Sequence, residues 1–169
     1  VREQIEAQPD VASVGMSDNT LLTNNNSSST IKLPGYTPTD EEDMNPLWLR
    51  VNPAFFTTIE APLLAGRGFD ERDGATAPKV VLVNEAFAKH YFKGESAVGR
   101  RFGSMRNEEY PYEIVGVVRD FRQTSVNETE GRRQVFFPYA QAEVLGSMTY
   151  YVRARTSATA LNDMLRQVV

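Results

Sequence analysis

The run VVLVNEAFAKHYFKG, Val80 to Gly94, restricts the choice of fold more than any other stretch of the chain. Its first five residues form a continuous apolar strand, and a strand of that kind is buried on both faces. Asn84 is placed to cap the helix that follows. In that helix Phe87 and Tyr91 lie four apart on one face, and Ala88 and Phe92 form the neighbouring row. Gly94 stands where the helix should stop.

Other strands are needed around this one, and the sequence offers them. VASVGM, LWLRV and MTYYVRAR alternate as strands, the last with Tyr150, Val152 and Ala154 on one face. YEIVGVVRDF reads as a strand in which Gly116 signals a bulge or a close backbone approach. QVFFPY is a strand ended by Pro138. Residues 23–45 read as a long loop around one short strand at Ile31 to Leu33, with TDEED as a solvated face. Asn52, with Pro53 behind it, should cap a short helix carrying PAFFTTIE. The chain opens on a helical pattern, Arg2 to Gln8, and closes on another after Thr156 or Ser157, whose apolar row is Ala160, Leu161, Met164 and Leu165. The two ends rhyme as helix–strand and strand–helix, although no residue-level repeat links them. Each is half of an α/β unit, so they are expected to meet across an insertion. Val1 is not a methionine and both ends fall inside helical patterns, which reads as a segment of a longer protein. The fold class is α+β.

Totals exclude several functions. Hydrophobic residues make up 41% and aromatics 10% of 169 residues, enough for a core and too many for a disordered chain. A net charge of −4 argues against nucleic acid as a partner, since phosphate calls for a basic surface. No run of about 18 apolar residues is present to span a bilayer. There is no cysteine, so thiol catalysis, disulfides and thiolate metal sites are absent. A single histidine, His90, makes a histidine-based triad improbable.

LLAGRGFDERDGA, Leu63 to Ala75, is the stretch that most resembles chemistry. A phosphate loop needs glycines followed by lysine and a hydroxyl, whereas Gly66 and Gly68 lead into phenylalanine and acids. An EF-hand needs alternating acids and a closing glutamate, and Asp70, Glu71, Asp73 and Gly74 lack that spacing. The better reading is a corner: Gly66 and Gly68 permit positive φ, Arg67 pairs with an acid and Phe69 packs beneath. His90 has neither a visible nucleophile nor an orienting partner, and reads as a partly exposed helix residue. Trp48 and the other aromatics could line a pocket, but their periodicity assigns them to the core. Tyr36, in a Pro-Gly-Tyr-Thr-Pro loop, is the aromatic expected to be exposed and so is the candidate partner surface. No catalytic constellation, metal set or cofactor site emerges.

Four stretches taken in order, LRVNPAFFTTIEAPLLAGRGFDERD, KVVLVNEAFAKHYFKGESAVGRRF, YEIVGVVRDFR and QVFFPYAQ, resemble the extracytoplasmic core domain of MacB-type ABC transporter permeases. The matched positions are Phe55 and Phe56 after a Val-Asn-Pro turn; Leu63, Gly66 and Arg67; Asn84 and Glu85; Gly99 and Arg100; and Val115, Gly116, Val117 and Asp120. In the family these positions look architectural, as turns and caps at Gly66, Arg67, Gly68, Asn84, Gly99 and Gly116.

The resemblance implies a domain on the periplasmic side of the cytoplasmic membrane, between the first and second membrane helices of a permease. It implies a mixed-sheet porter-like subdomain built from both ends, residues 1–75 plus 148–169, with an inserted Sabre-like α/β subdomain, residues 76–147. ATP would bind a separate cytoplasmic nucleotide-binding domain, fused or not, and no cofactor is expected in this domain. Motion of the membrane helices would be passed to substrate or partner proteins, in export, lipoprotein extraction or signalling. A periplasmic adaptor is a candidate partner. The full-length permease would be dimeric and the isolated domain monomeric. The competing reading is a free periplasmic ligand- or protein-binding module.

Overall fold

The computed structural model of the protein describes residues 1–106, 109–127, 131–143, 146–157, 159, 161, 162 and 166. Along the chain the elements are α1 (Arg2–Glu6), β1 (Val11–Ser17), β2 (Ser27–Ser28), β3 (Ile31–Lys32), β4 (Leu47–Val51), α2 (Phe55–Thr58), β5 (Leu63–Gly66), β6 (Val80–Asn84), α3 (Glu85–Phe92), β7 (Arg101–Ser104), β8 (Tyr112–Val118), β9 (Gln134–Pro138) and β10 (Thr149–Ala154). The ten strands form a mixed sheet in the order β10-β1-β4-β9-β6-β8-β7-β3, with β2 added beside β4 and β5 beside β8. The pairs β4–β9 and β6–β8 are parallel and the others antiparallel. This is the α+β fold with a mixed sheet that the sequence led us to expect.

β6 is apolar at every turn because each of its faces meets a helix-bearing layer. Val81 and Val83 join Ile114, Val117, Val135 and Phe102 under Phe87 and Tyr91 of α3. Leu82 joins Leu49, Val51, Val115, Val118 and Phe136 against Phe55 and Phe56 of α2. Val81, Leu82 and Val83 have no exposed surface. Fully burying one such side chain contributes about 2 kcal/mol, so this run anchors both layers.

Gly116 does what its place in a strand implied. The register of β6 against β8 slips between Val81 and Leu82, where Leu82 comes to face Gly116. Strands β2 and β7 were not anticipated. They are two and four residues long and lack an alternating apolar pattern, so only their partners, β4 for β2 and β3 and β8 for β7, define them. Helix α3 spans Glu85–Phe92, as EAFAKHYF implied, and the chain leaves it through Lys93, which holds a left-handed conformation, φ 46°, with Gly94 behind it at φ 96°. A side chain in that region is strained. Lys93→Gly is therefore expected to raise stability by about 0.5–1 kcal/mol, read as a higher melting temperature.

The two ends do meet. β1 and β10 pair from Val11↔Ala154 to Ser17↔Thr149, and Ile5, Val11 and Val14 pack with Val152 and Leu161. Of the expected closing helix, Ala160, Met164 and Leu165 lie outside the described residues; the Leu161 amide donates to Ser157 O at 3.0 Å. Between the sequence ranges 1–75 and 76–147 the sheet is continuous, through β4–β9, β5–β8 and β3–β7.

Candidate functional site

The antiparallel ribbon of β1 and β10 carries both described ends of the chain, and it joins the rest of the sheet through little backbone. One register pair, Ser17↔Val51, links β1 to β4. Asp18 N donates to Arg50 O at 3.1 Å and Asn52 N to Met16 O at 3.2 Å. Side chains complete the joint. The Asn52 amide acts as a further rung: its Nδ2 donates to Val14 O at 2.9 Å and its Oδ1 accepts from Met16 N at 2.8 Å. Asn52 is only 1% exposed, so these are the partners that keep buried polar groups of β1 satisfied. On the surface side Asp18 accepts from Arg50 N at 2.9 Å and from its guanidinium at 2.8 Å. The Tyr151 hydroxyl sits 3.0 Å from Ser17 Oγ and accepts from Leu21 N at 2.9 Å.

Helix α2 closes the joint from behind. A Cβ on Gly15 would lie 3.1 Å from both Phe55 Cα and Thr58 Cβ, so β1 and α2 touch through backbone. Thr58 Oγ1 donates to Ser13 Oγ at 3.0 Å, and Arg153 Nε of β10 donates to Thr58 O at 3.0 Å. Phe55 meets Tyr151 edge-on at 5.6 Å. The joint thus gathers both strands of the ribbon, the end of β4 and α2 in one bonded unit.

Here the sequence reading of Asn52 needs correcting. It is not the side-chain cap of α2, whose N-cap is Ala54 and which has no side-chain cap bond. Its main-chain oxygen takes Phe55 N at 3.1 Å, while its amide turns to β1. A buried ladder end competes for that amide and wins over a four-residue helix. A signal for this role was present: VNPAF at 51–55 and VNEAF at 83–87 are the same strand-to-helix device. Asn84 also reaches a neighbouring strand, accepting from Gln134 N at 2.9 Å and donating to Arg132 O at 2.8 Å, besides capping Phe87 N at 3.1 Å. Phe55 and Phe87 are both fully buried, one in each core layer.

The GRGFDERDG stretch is a corner held by an ion pair between a buried acid, Asp73, and the half-buried Arg67. Arg67 grips Asp73 with two bonds of 2.8 Å, and Asp73 also accepts from Asp70 N at 3.0 Å while being 3% exposed. Asp70 turns outward to Arg72, and Phe69 is buried. Gly66 has φ 72° and a Cβ there would fall 2.2 Å from Val115 O; its register partner Gly116 would bring one 2.4 Å from Arg67 O. Gly68 is not in the left-handed region and has open space around it, so positive φ is no reason for a glycine there. Among the described residues no three His, Cys, Asp or Glu side chains gather to hold a metal.

Bonding to the Arg67 guanidinium holds the Asp73 carboxyl below its ordinary value of 3.8. A carboxyl lowered by folding contributes stability that is present above the unfolded value and is lost as pH falls through the folded one. Stability is therefore expected to drop as pH goes from about 4 downward, and Asp73→Asn should flatten that part of a stability–pH curve while lowering the plateau by about 2 kcal/mol.

Tyr36 is half-buried rather than free. Its ring meets Tyr91 edge-on at 5.4 Å and its hydroxyl donates to Glu42 at 2.6 Å. Glu42, expected on a solvated face, also lies 2.6 Å from His90 Nε2, and Arg133 Nη1 approaches the same nitrogen at 3.0 Å. The bond from Tyr36 and the one with His90 hold the Glu42 carboxyl below the usual range, and burial pushes the Tyr91 phenol up to about 12. The depression beside His90 is lined by Glu42, Asp43, Asn45, Ala86, Gly131, Arg132 and Arg133, with no hydroxyl or thiol among them. Gly99, at φ 85°, turns the chain towards β7. Trp48 packs on Phe137 at 4.7 Å, and with Tyr112 they floor a shallow groove of about 340 Å³. No described helix is long and apolar enough to cross a membrane.

The family model for the MacB-like periplasmic core domain matches residues 1–168. The periplasmic region of MacB from Actinobacillus actinomycetemcomitans is similar in structure, with a TM-score of 0.65 and 18% identity over 98% of this chain and 71% of that one. The extracellular domain of the ABC-type transporter YknZ from Gram-positive bacteria is similar too, with a TM-score of 0.64 and 18% identity over 98% of this chain and 80% of that one. At this identity the likeness is one of fold. No curated protein matches the chain. The family is one of periplasmic domains of ABC-type permeases. From the match over nearly its whole length, the chain belongs to the MacB-like periplasmic core domain family.

Proposed function

We propose that the chain is a non-catalytic extracytoplasmic domain that passes ATP-driven motion of permease helices to substrate or partner proteins. One observation carries this reading: the chain runs in and out through the two strands of a single ribbon. Val11 pairs with Ala154, and Arg155 donates from its backbone to Asp10 O at 2.8 Å and from its side chain to Pro9 O at 3.1 Å. Helices attached on either side would move that ribbon as one body, and the Asn52 joint would carry its movement into the sheet. In this reading ATP binds a separate cytoplasmic domain, the full-length permease is a dimer, and a periplasmic adaptor is a candidate partner. A porter-like part would centre on the ribbon and a Sabre-like part on β6 and α3.

The alternative is a free periplasmic binding module. Its ligand platform would be the groove of Trp48, Tyr112 and Phe137, beneath which the buried Trp48 Nε1 has no acceptor among the described residues. Fractionation of the source cells, blotted for this domain, separates the two. A membrane band well above 18.9 kDa, cleaved by protease from the outer side, is the expected result. A soluble periplasmic band near that mass would overturn the permease reading in favour of the module.

A further inference from the structure

We propose that the outer edge of β5 and the hollow beside it form a docking site for an extended segment of a partner protein, one that adds a strand to the sheet and presents a carboxylate to Arg119. The inference does not depend on the permease reading. β5 pairs with β8 alone, so its other edge offers unpaired backbone groups among the described residues. All four of its residues are exposed, and none is charged. Leu63 and Leu64, 42% and 44% exposed, are the only consecutive large hydrophobics on the described surface. Folded proteins blunt such edges with lysine, proline or a cover, because an open apolar edge recruits strands. β5 carries none of these along its length.

The hollow next to this edge has a volume of about 470 Å³ and an apolar side of Phe56 and Ala61, with the buried Leu82 and Val118 behind them. Leu63 forms one wall, and Arg119 and Glu60 also line it, the Glu60 carboxylate being taken by Arg153 at 2.5 Å. The guanidinium of Arg119 has no partner among the described residues, while its backbone amide is fixed to Pro62 O at 3.0 Å beside the start of β5. An added strand would therefore bring main-chain bonds to the edge, an apolar side chain to the hollow and an acid to the cation, the combination that gives strand addition both affinity and selectivity. A second copy of the chain fits less well. An antiparallel β5–β5 pairing sets Arg119 of one copy near the Arg67 end of the other, where Asp73 and Asp70 are already held by Arg67 and Arg72. The site calls for an acid that this chain's own edge does not supply.

The test uses two short blocked peptides of alternating valine and threonine, one bearing a central aspartate and the other a lysine. The expected result is that the aspartate peptide binds and slows amide exchange in β5. Arg119→Glu should weaken it about tenfold and favour the lysine peptide by a similar factor. Leu64→Lys, a second exposed substitution, should weaken both peptides with the melting temperature unchanged. Equal binding of the aspartate peptide by the native protein and Arg119→Glu would overturn the proposal. So would failure of the aspartate peptide to protect β5, or a dimer in ultracentrifugation that Leu64→Lys dissolves, which would assign the edge to a second copy.

Discussion

Gly116→Ala is expected to lower the unfolding free energy by about 3 kcal/mol, at the upper end of what overpacking costs. The reason lies in which atoms stand in the way. A Cβ at Gly116 would meet Arg67 O at 2.4 Å and Ala65 O at 3.0 Å, both backbone, as well as Leu82 Cδ2 at 2.7 Å. Leu82 is itself fully buried, so it has nowhere to turn. Relief would require parting β5 from β8, and with it the corner that Arg67 and Asp73 close. Gly68→Ala is the control: nothing lies within 4 Å of its Cβ and its φ is not positive. It should be neutral or slightly stabilising. Urea titration of both variants checks the pair, and equal losses would mean that the close approach of β5 and β8 is not what requires glycine.

Asn52→Ala should cost about 3 kcal/mol as well. It leaves the Met16 amide and the Val14 carbonyl without their partners in a place water does not reach. Each orphaned group costs roughly 1–3 kcal/mol, offset in part by relaxation of the ribbon. Asp18→Ala removes a partner from the same joint, but Arg50 there is 44% exposed, so its effect should be about 1 kcal/mol or less. Thermal melts of the two variants rank these contributions. A loss below 0.5 kcal/mol for Asn52→Ala, roughly the range of ordinary surface changes, would show that the amide is not a rung of the sheet.

Much of the central sheet was legible because burial leaves a mark on composition. VVLVN has no polar residue before its cap since α2 and α3 cover opposite faces. Phe87 and Tyr91 show the helical period because only one side of α3 is buried. What stayed hidden was set by partners distant in sequence. RFGS becomes β7 only when β3 and β8 lie beside it, and Ser27–Ser28 becomes β2 only against Trp48 and Leu47. Asn52 reads as a cap because local rules favour asparagine there; its true partners are 36 and 38 positions away. Tyr36 reads as exposed from its Pro-Gly loop, yet Glu42 and Tyr91 fold over it. Local chemistry predicts local bonds, and a joint between distant strands lies beyond it. The repeated V-N-x-A-F was the one written clue.

The most direct test of the central claim sets a fluorophore at Met105→Cys, an exposed position beyond β7, in the full-length permease reconstituted in lipid with an acceptor at headgroup level. ATP should change the transfer efficiency, reporting a shift of the domain relative to the bilayer. In Asn52→Ala that change should shrink while ATP hydrolysis continues, because the ribbon still moves and the sheet no longer follows it fully. Hydrolysis with no ATP-dependent change in the native protein would contradict the account.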